Sequence, residues 1–150
     1  MEQSEYPVNE AWLYHHLGAA SSDAIMFSDI EGKIRLWNRG AELIFGFTPE
    51  VALGASLDII IPENLRKRHW DGYHEVMGGR PTIYGARLLT VPALRKDGSR
   101  ISVEFSIVMV TDESGAPLGV GAILRDVTAR WEKERELKAR VGELERQVAR

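Results

Sequence analysis

The sharpest chemical signal lies in the segment that runs from Pro62 to Met77. Wound as a helix at about 100° per residue from Leu65, it places Val76 near 20°, His69 near 40°, Tyr73 near 80° and Met77 near 120°. His69 therefore falls in the middle of an apolar face. A neutral imidazole aimed into an apolar cleft can ligate a haem iron and leave the opposite side open to a diatomic gas. The competing expectation is a core or helix-edge histidine with its hydrogen bond satisfied. Trp70, the next residue, reads as an aromatic plug in the cleft or at the helix flank.

Other sites are excluded or weak. The chain has no cysteine, which rules out disulfides, thiolate zinc sites, iron–sulfur clusters and cysteinyl chemistry. His15, His16 and His74 supply no i, i+4 partner or carboxylate that would make a metal set with His69. Gly119-Val120-Gly121 is a fragment of a dinucleotide fingerprint, but it sits inside a strand with no phosphate-cradling helix after it. No nucleophile elbow or paired-carboxylate motif is present, so an enzyme is not expected.

The 150 residues (16.8 kDa, 44% hydrophobic, 27% charged) amount to about one domain. A net charge of −3 and a pI near 5.8 give no electrostatic support for nucleic-acid binding. No apolar run reaches the ~18 residues of a membrane span, and no secretory signal follows Met1. The expectation is a cytoplasmic domain without membrane contact.

Three zones position the candidate residues. Residues 1–22 form an N-terminal cap: Asn9 starts a helix bearing Trp12, Leu13, His16 and Leu17, and Gly18 helps to end it. Its aromatic content predicts docking, on the domain or on a second copy. Residues 23–127 alternate strand and helix signals. Ala24–Phe27 and Lys33–Trp37 are strands hairpinned through Asp29-Ile30-Glu31-Gly32. Asn38 caps a helix that Gly46 stops, and Thr48-Pro49-Glu50 starts another. Pro62 opens the third, which Gly78-Gly79 closes. Thr82–Leu94 is strand-like but broken by Pro92, so it belongs near a sheet edge. A turn at Lys96–Ser99 leads into the alternating Ile101, Val103, Phe105 and Ile107. Asp112–Gly115 turns into a last strand with Leu118, Val120, Ala122 and Leu124 on one face. This order predicts an α+β domain, a five-stranded antiparallel sheet with short helices on one face.

Residues 128–150 are a C-terminal helix. From Arg130 on there are seven Lys/Arg and five Glu. Leu137, Val141, Leu144 and Val148 are spaced four, three and four apart, the seam of a coiled coil. Continued backward, that seam meets Glu134 and Arg130, which implies a phase shift between the domain's exit and the coil. A solvated terminal helix with one apolar stripe is the simpler alternative.

Taken in order, these pieces resemble a PAS sensory domain of the S-box type: Ala24-Ile25-Met26, Asp29–Gly32, Trp37-Asn38, Ala41-Glu42, Phe45-Gly46-Phe47, Gly54, Ile61-Pro62, Arg95–Ser99 and Arg125-Asp126-Val127-Thr128. The resemblance covers about residues 20–128. It implies a sheet cupped by helices, a ligand cleft between sheet and third helix, and signalling through the terminal helix to a kinase, cyclase or other effector in a longer protein. The flavin and coumarate photosensor branches need a cysteine and are excluded. Pro62–His69 is also similar to the segment that holds the proximal histidine in haem PAS oxygen sensors. That narrower resemblance implies haem b with His69 as the iron ligand, and Arg87, after Ile83-Tyr84-Gly85-Ala86, in the distal position. It places Phe105 and Ile107 as apolar distal residues, with Leu65, Tyr73, Val76 and Ile83 lining the cleft. His69–Tyr73 is one residue longer than the sensors' spacing, so alignment on Tyr73 puts Trp70 in the ligand position instead. Three functions follow: a haem gas or redox sensor, a sensor for a small organic ligand or non-covalent flavin, and a cofactor-free dimerisation module. Each is expected to act as a homodimer through the N-terminal helix and residues 131–150.

Overall fold

The computed structural model describes residues 7–81 and 87–150. Five strands, β1 (Ala24–Asp29), β2 (Ile34–Trp37), β3 (Leu89–Leu94), β4 (Arg100–Thr111) and β5 (Pro117–Asp126), form one antiparallel sheet in the order β2-β1-β5-β4-β3. Between β2 and β3 lie α2 (Arg39–Phe45), α3 (Pro49–Ala52), a 3-10 turn (Leu57–Ile60) and α4 (Glu63–Met77). The chain enters through α1 (Glu10–Ala20) and leaves through α5 (Thr128–Val148). No described helix is long and apolar enough to cross a membrane.

Alternation along the strands decides which face is covered. Ala24, Met26, Ala93, Ile101, Val103 and Leu124 point to one side and pack with Ala41, Phe45, Ala52, Leu57, Ile60 and Tyr73 of the helical layer. The opposite face keeps Val108, Val110 and Ile123 exposed. β3 is an edge strand, as Pro92 requires, since proline has no N–H for a second neighbour. Only the Leu89–Leu94 part of the expected 82–94 strand is formed among the described residues; Arg87 and Leu88 precede it.

Asn38 ties three elements together. Its carboxamide oxygen accepts from Ala41 N, capping α2, and from Ile25 N at the start of β1. Its amide donates to the carbonyls of Gly18 and Asp23, at 2.8 and 3.0 Å, and more weakly to Ser21. Asn38 is 7% exposed, so little water reaches its carboxamide. The same crowding requires Gly40, where a Cβ would collide with the Asp23 carbonyl.

Several expectations change. Asn9 does cap α1, accepting from Trp12 N at 2.7 Å. Gly18 does not end that helix, which runs on to Ala20. No residue of α1 is buried in its own domain, and Trp12, Tyr14 and Leu17 are exposed. Thr48 precedes α3 without a side-chain cap bond. The phase shift before the coil is unnecessary: α5 is unbroken, and counting back from Leu137 by threes and fours gives Glu134, Arg130 and Val127. Val127 is on the seam's register but buried in the domain.

Asn38→Ala leaves backbone groups on α1, β1 and α2 without their partner at once, and is expected to destabilise the fold by about 3 kcal/mol. Urea denaturation followed by circular dichroism checks this; a change below about 1 kcal/mol would show that the hub is dispensable.

Candidate functional site

α4 is the element that carries the candidate residues, and its seat is set by Tyr73. Tyr73 is the only residue of α4 that is fully buried. Trp70 and Met77 pack against the core beside it. On the helical wheel these three lie near 80°, 140° and 120°, so the buried face centres there. His69, near 40°, lies at the flank of that face rather than in its middle. The wheel also places Arg66, near 100°, on this side, where its guanidinium turns back to the carbonyls of Ile61 and Asp58.

The Tyr73 hydroxyl reaches the end of β1. It donates to the Asp29 carbonyl and lies 2.9 Å from Ser28 Oγ, which is itself 4% exposed. The phenol has one proton and the carbonyl takes it, so the serine donates to the phenol oxygen. Burial, opposed by the Ser28 hydrogen bond and aided by the Asp29 charge, pushes the Tyr73 pKa up. Asp29 in turn shapes the β1–β2 turn. Its Oδ1 accepts from Glu31 N and Lys33 N, and its Oδ2 from Arg35 Nε at 2.8 Å. Burial works against ionisation of Asp29, but Arg35 and these two backbone N–H groups outweigh it and hold its carboxyl below the usual range.

Trp70 closes the same corner from above. Its Nε1 donates to Asp58 Oδ1 at 2.7 Å, and its six-membered ring lies over Gly32. Gly32 has φ +78°, and a Cβ there would fall against that ring, so glycine is required on both counts. Trp70 meets Tyr73 edge-on at 5.3 Å between ring centroids and stacks on His74 at 5.9 Å.

His69 sits between these two aromatics, its ring 4.8 Å from Trp70 and 5.7 Å from Tyr73. Its Nδ1 is buried and has no hydrogen-bond partner. Burial lowers the His69 pKa, with Asp58 opposing and His74 assisting, so the ring is held neutral. A neutral imidazole with an unengaged buried nitrogen is the donor that a metal or a polar ligand atom would use. Among the described residues no group of three or more His, Asp or Glu side chains gathers into a metal cage.

The other expected lining residues are spread around this centre. Leu65 and Val76 are half-buried on α4. Phe105 and Ile107 are half-buried on the covered face of β4, opposite Leu124 and Ala122 of β5. Arg87 is exposed ahead of β3, and Ile83 lies outside the described residues. Sequence reasoning missed Ser28, Asp29, Asp58 and Gly32 as the groups that seat α4. The Asp29–Gly32 turn was legible, but nothing in its spacing points to an aromatic forty residues away.

Two predictions follow from this geometry. Tyr73→Phe leaves the Ser28 hydroxyl and the Asp29 carbonyl without their partner and should cost about 1–2 kcal/mol of stability, read by urea denaturation; an unchanged midpoint would show that α4 is seated by packing alone. The His69 pKa lies below the 6.5 of an unperturbed histidine. As pH falls through about 6.5 the unfolded chain takes up a proton that the folded chain refuses, so stability is complete above that pH and declines below it. The decline precedes the carboxylates' range. The urea midpoint of protein without added haemin should fall between about pH 7.5 and pH 5, and less so in His69→Leu.

The fold has known counterparts. The family model described as "PAS fold" matches residues 19–132. The oxygen sensor protein DosP of Escherichia coli is 31% identical over 121 residues, 77% of this chain and 15% of that protein. The sensor protein FixL of Bradyrhizobium diazoefficiens is 31% identical over 129 residues, 84% of this chain and 24% of that protein. The chain thus spans a quarter or less of the length of these relatives. Among solved structures, the PAS domain of a Colwellia psychrerythraea protein superposes with a TM-score of 0.71 at 22% identity, covering 81% of this chain and 99% of that one. Fold, family model and relatives agree: the chain belongs to the PAS family and is a PAS sensory domain similar to those of signal-transduction sensor proteins.

Proposed function

We propose that this PAS domain is a non-enzymatic sensory module that takes haem b beside α4, where His69 would hold the iron. The reading rests on one observation, the buried His69 Nδ1 with no hydrogen-bond partner. An orphaned polar atom costs about 1–3 kcal/mol, and a bound ligand would relieve that cost. Bound haem would supply an iron centre for a diatomic gas or for an electron. The chain's residues do the rest. Burial keeps His69 neutral, Tyr73 and Trp70 fix the helix that carries it, and Phe105 and Ile107 offer an apolar wall. That two relatives are named an oxygen sensor and a sensor protein supports the reading. The module acts in the cytoplasm as a homodimer through α1 and α5. It binds neither membrane nor nucleic acid, and passes ligand occupancy through α5 to an effector domain elsewhere in a longer protein.

One observation favours a second reading. Trp70, held by Asp58 over Gly32, fills space that a ligand would need. A cofactor-free interaction module fits that packing, and a PAS domain for a small organic ligand or non-covalent flavin stands beside it as the reading that would need Trp70 to move.

An absorption spectrum separates the readings. With haemin added, the protein should show a Soret band that His69→Ala loses and Trp70→Phe keeps. A colourless protein that takes up no haemin overturns the haem reading and leaves the second.

A further inference from the structure

Two rings flank His69, and they are held very differently. Tyr73 is buried, and its hydroxyl ends on the Asp29 carbonyl and on Ser28 Oγ. Withdrawing it would strip partners from the interior of the domain. Trp70 is half-buried, and its only polar side-chain atom, Nε1, donates to Asp58 Oδ1 at 2.7 Å. Of the two rings, Trp70 is the one that can leave.

Asp58 has a second donor at hand. Arg66 Nε lies 3.9 Å from the same Oδ1 that accepts from the indole. Arg66 is already anchored there, by Nε to the Ile61 carbonyl and by Nη2 to the carbonyl of Asp58 itself. The main chain of Asp58 is fixed as well, its N–H donating to Ser56 Oγ and its carbonyl accepting from Ile61 N. Only the carboxylate is left to turn, and a small rotation closes the gap to Arg66 as the indole departs. The two side chains are 42% and 37% exposed, so their ion pair is made largely in water and is modest. It need only offset the loss of one half-exposed hydrogen bond.

The seat of the ring also suits release. Trp70 rests on the bare main chain of Gly32, where a Cβ would collide with its six-membered ring. On the other side it stacks on His74, which is exposed. Lifting the ring opens the wedge between α4 and the Asp29–Gly32 turn. It bares the flank of the His69 ring, whose centroid is 4.8 Å from that of Trp70.

We infer that Trp70 is a gate on the His69 site: Asp58 latches it shut in the ligand-free domain, and Arg66 takes Asp58 when the gate opens to admit haem. The gate rests on the haem reading above and adds the step that controls uptake. A site that is open for only a fraction of the time binds with its affinity reduced by that fraction. Weakening the latch therefore strengthens binding, the reverse of what loss of a supporting contact does.

Haemin uptake by the full chain, read as growth of the His69-dependent Soret band, tests the gate. Asp58→Ala and Trp70→Phe remove the same hydrogen bond from its two ends, and each should speed uptake and tighten binding about tenfold. The double variant should gain no more than either alone. Asp58→Asn keeps an oxygen for the indole and loses the charge that draws Arg66, so it should show no gain. Without haemin, the indole N–H resonance that Trp70→Phe deletes should exchange with solvent at least several-fold faster in Asp58→Ala. Unchanged exchange there overturns the latch. Uptake at one common rate, or slower uptake in Asp58→Ala, overturns the gate and leaves the haem reading standing. So do gains from Asp58→Ala and Trp70→Phe that add in the double variant. No band in any of these chains overturns the haem reading and the gate with it.

Discussion

The hydroxyl of Tyr73 is the contact on which the site depends. α4 has fifteen residues and buries only one of them fully, so apolar packing alone does not fix its height or rotation on the sheet. The phenol does so by ending on the main chain of β1, where strand pairing already holds Ser28 and Asp29. From that point the geometry propagates. Asp29 holds the turn, the turn presents Gly32, and Gly32 gives Trp70 the room to lie flat and reach Asp58. His69 is suspended between two rings whose polar tips are both engaged elsewhere. That arrangement leaves it the one buried nitrogen in the cluster without a partner.

The strands were the most legible part of the sequence, because a half-covered antiparallel sheet writes its burial directly as alternation. Ile101, Val103 and Phe105, and Val120, Ala122 and Leu124, fell on the expected face, whereas Leu118, beside the register shift near the start of β5, is exposed. Pro92 announced an edge. Asn9, Asn38 and the glycines at the turns marked boundaries for reasons of local chemistry. The 3-10 turn at Leu57–Ile60 was not legible, since four residues are too few to show a period. α1 overran Gly18 because a glycine stops a helix only where the chain adopts the left-handed turn, as at Gly46, and Ser21 does not need it.

The phase of α4 was misjudged for a related reason. A wheel weights Leu65 and Val76 like any apolar residue, and so pulls the face toward His69. The folded helix rotates to bury its two largest aromatics, each of which also finds a partner for its polar atom. Which aromatic finds a partner is a tertiary fact: Asp58, Ser28 and Asp29 are distant in sequence and silent about α4. The seam of α5 shows the converse. A helix forms where its local periodicity predicts one, over Thr128–Val148, while its polar continuation through Glu134 and Arg130 looked like a break in phase. It is a continuous helix whose first turns have a different neighbour.

That neighbour places both ends of the domain on one sheet. Arg125 of β5 makes a two-pronged ion pair with Asp23 just before β1, and this holds the Asp23 carboxyl below its usual range. Asp23 also gives its carbonyl to Asn38, which binds the end of α1. Across the register Arg125 faces Glu104, and Glu104 holds Arg130. Each of these pairs is exposed and worth little alone. Their meaning lies in connectivity. On β4, Glu104 points outward and Phe105, its neighbour, points inward to the covered face beneath the helices. A strand cannot shift one face without the other. Any displacement of β4 that begins at Phe105 must therefore move the carboxylate that holds α5.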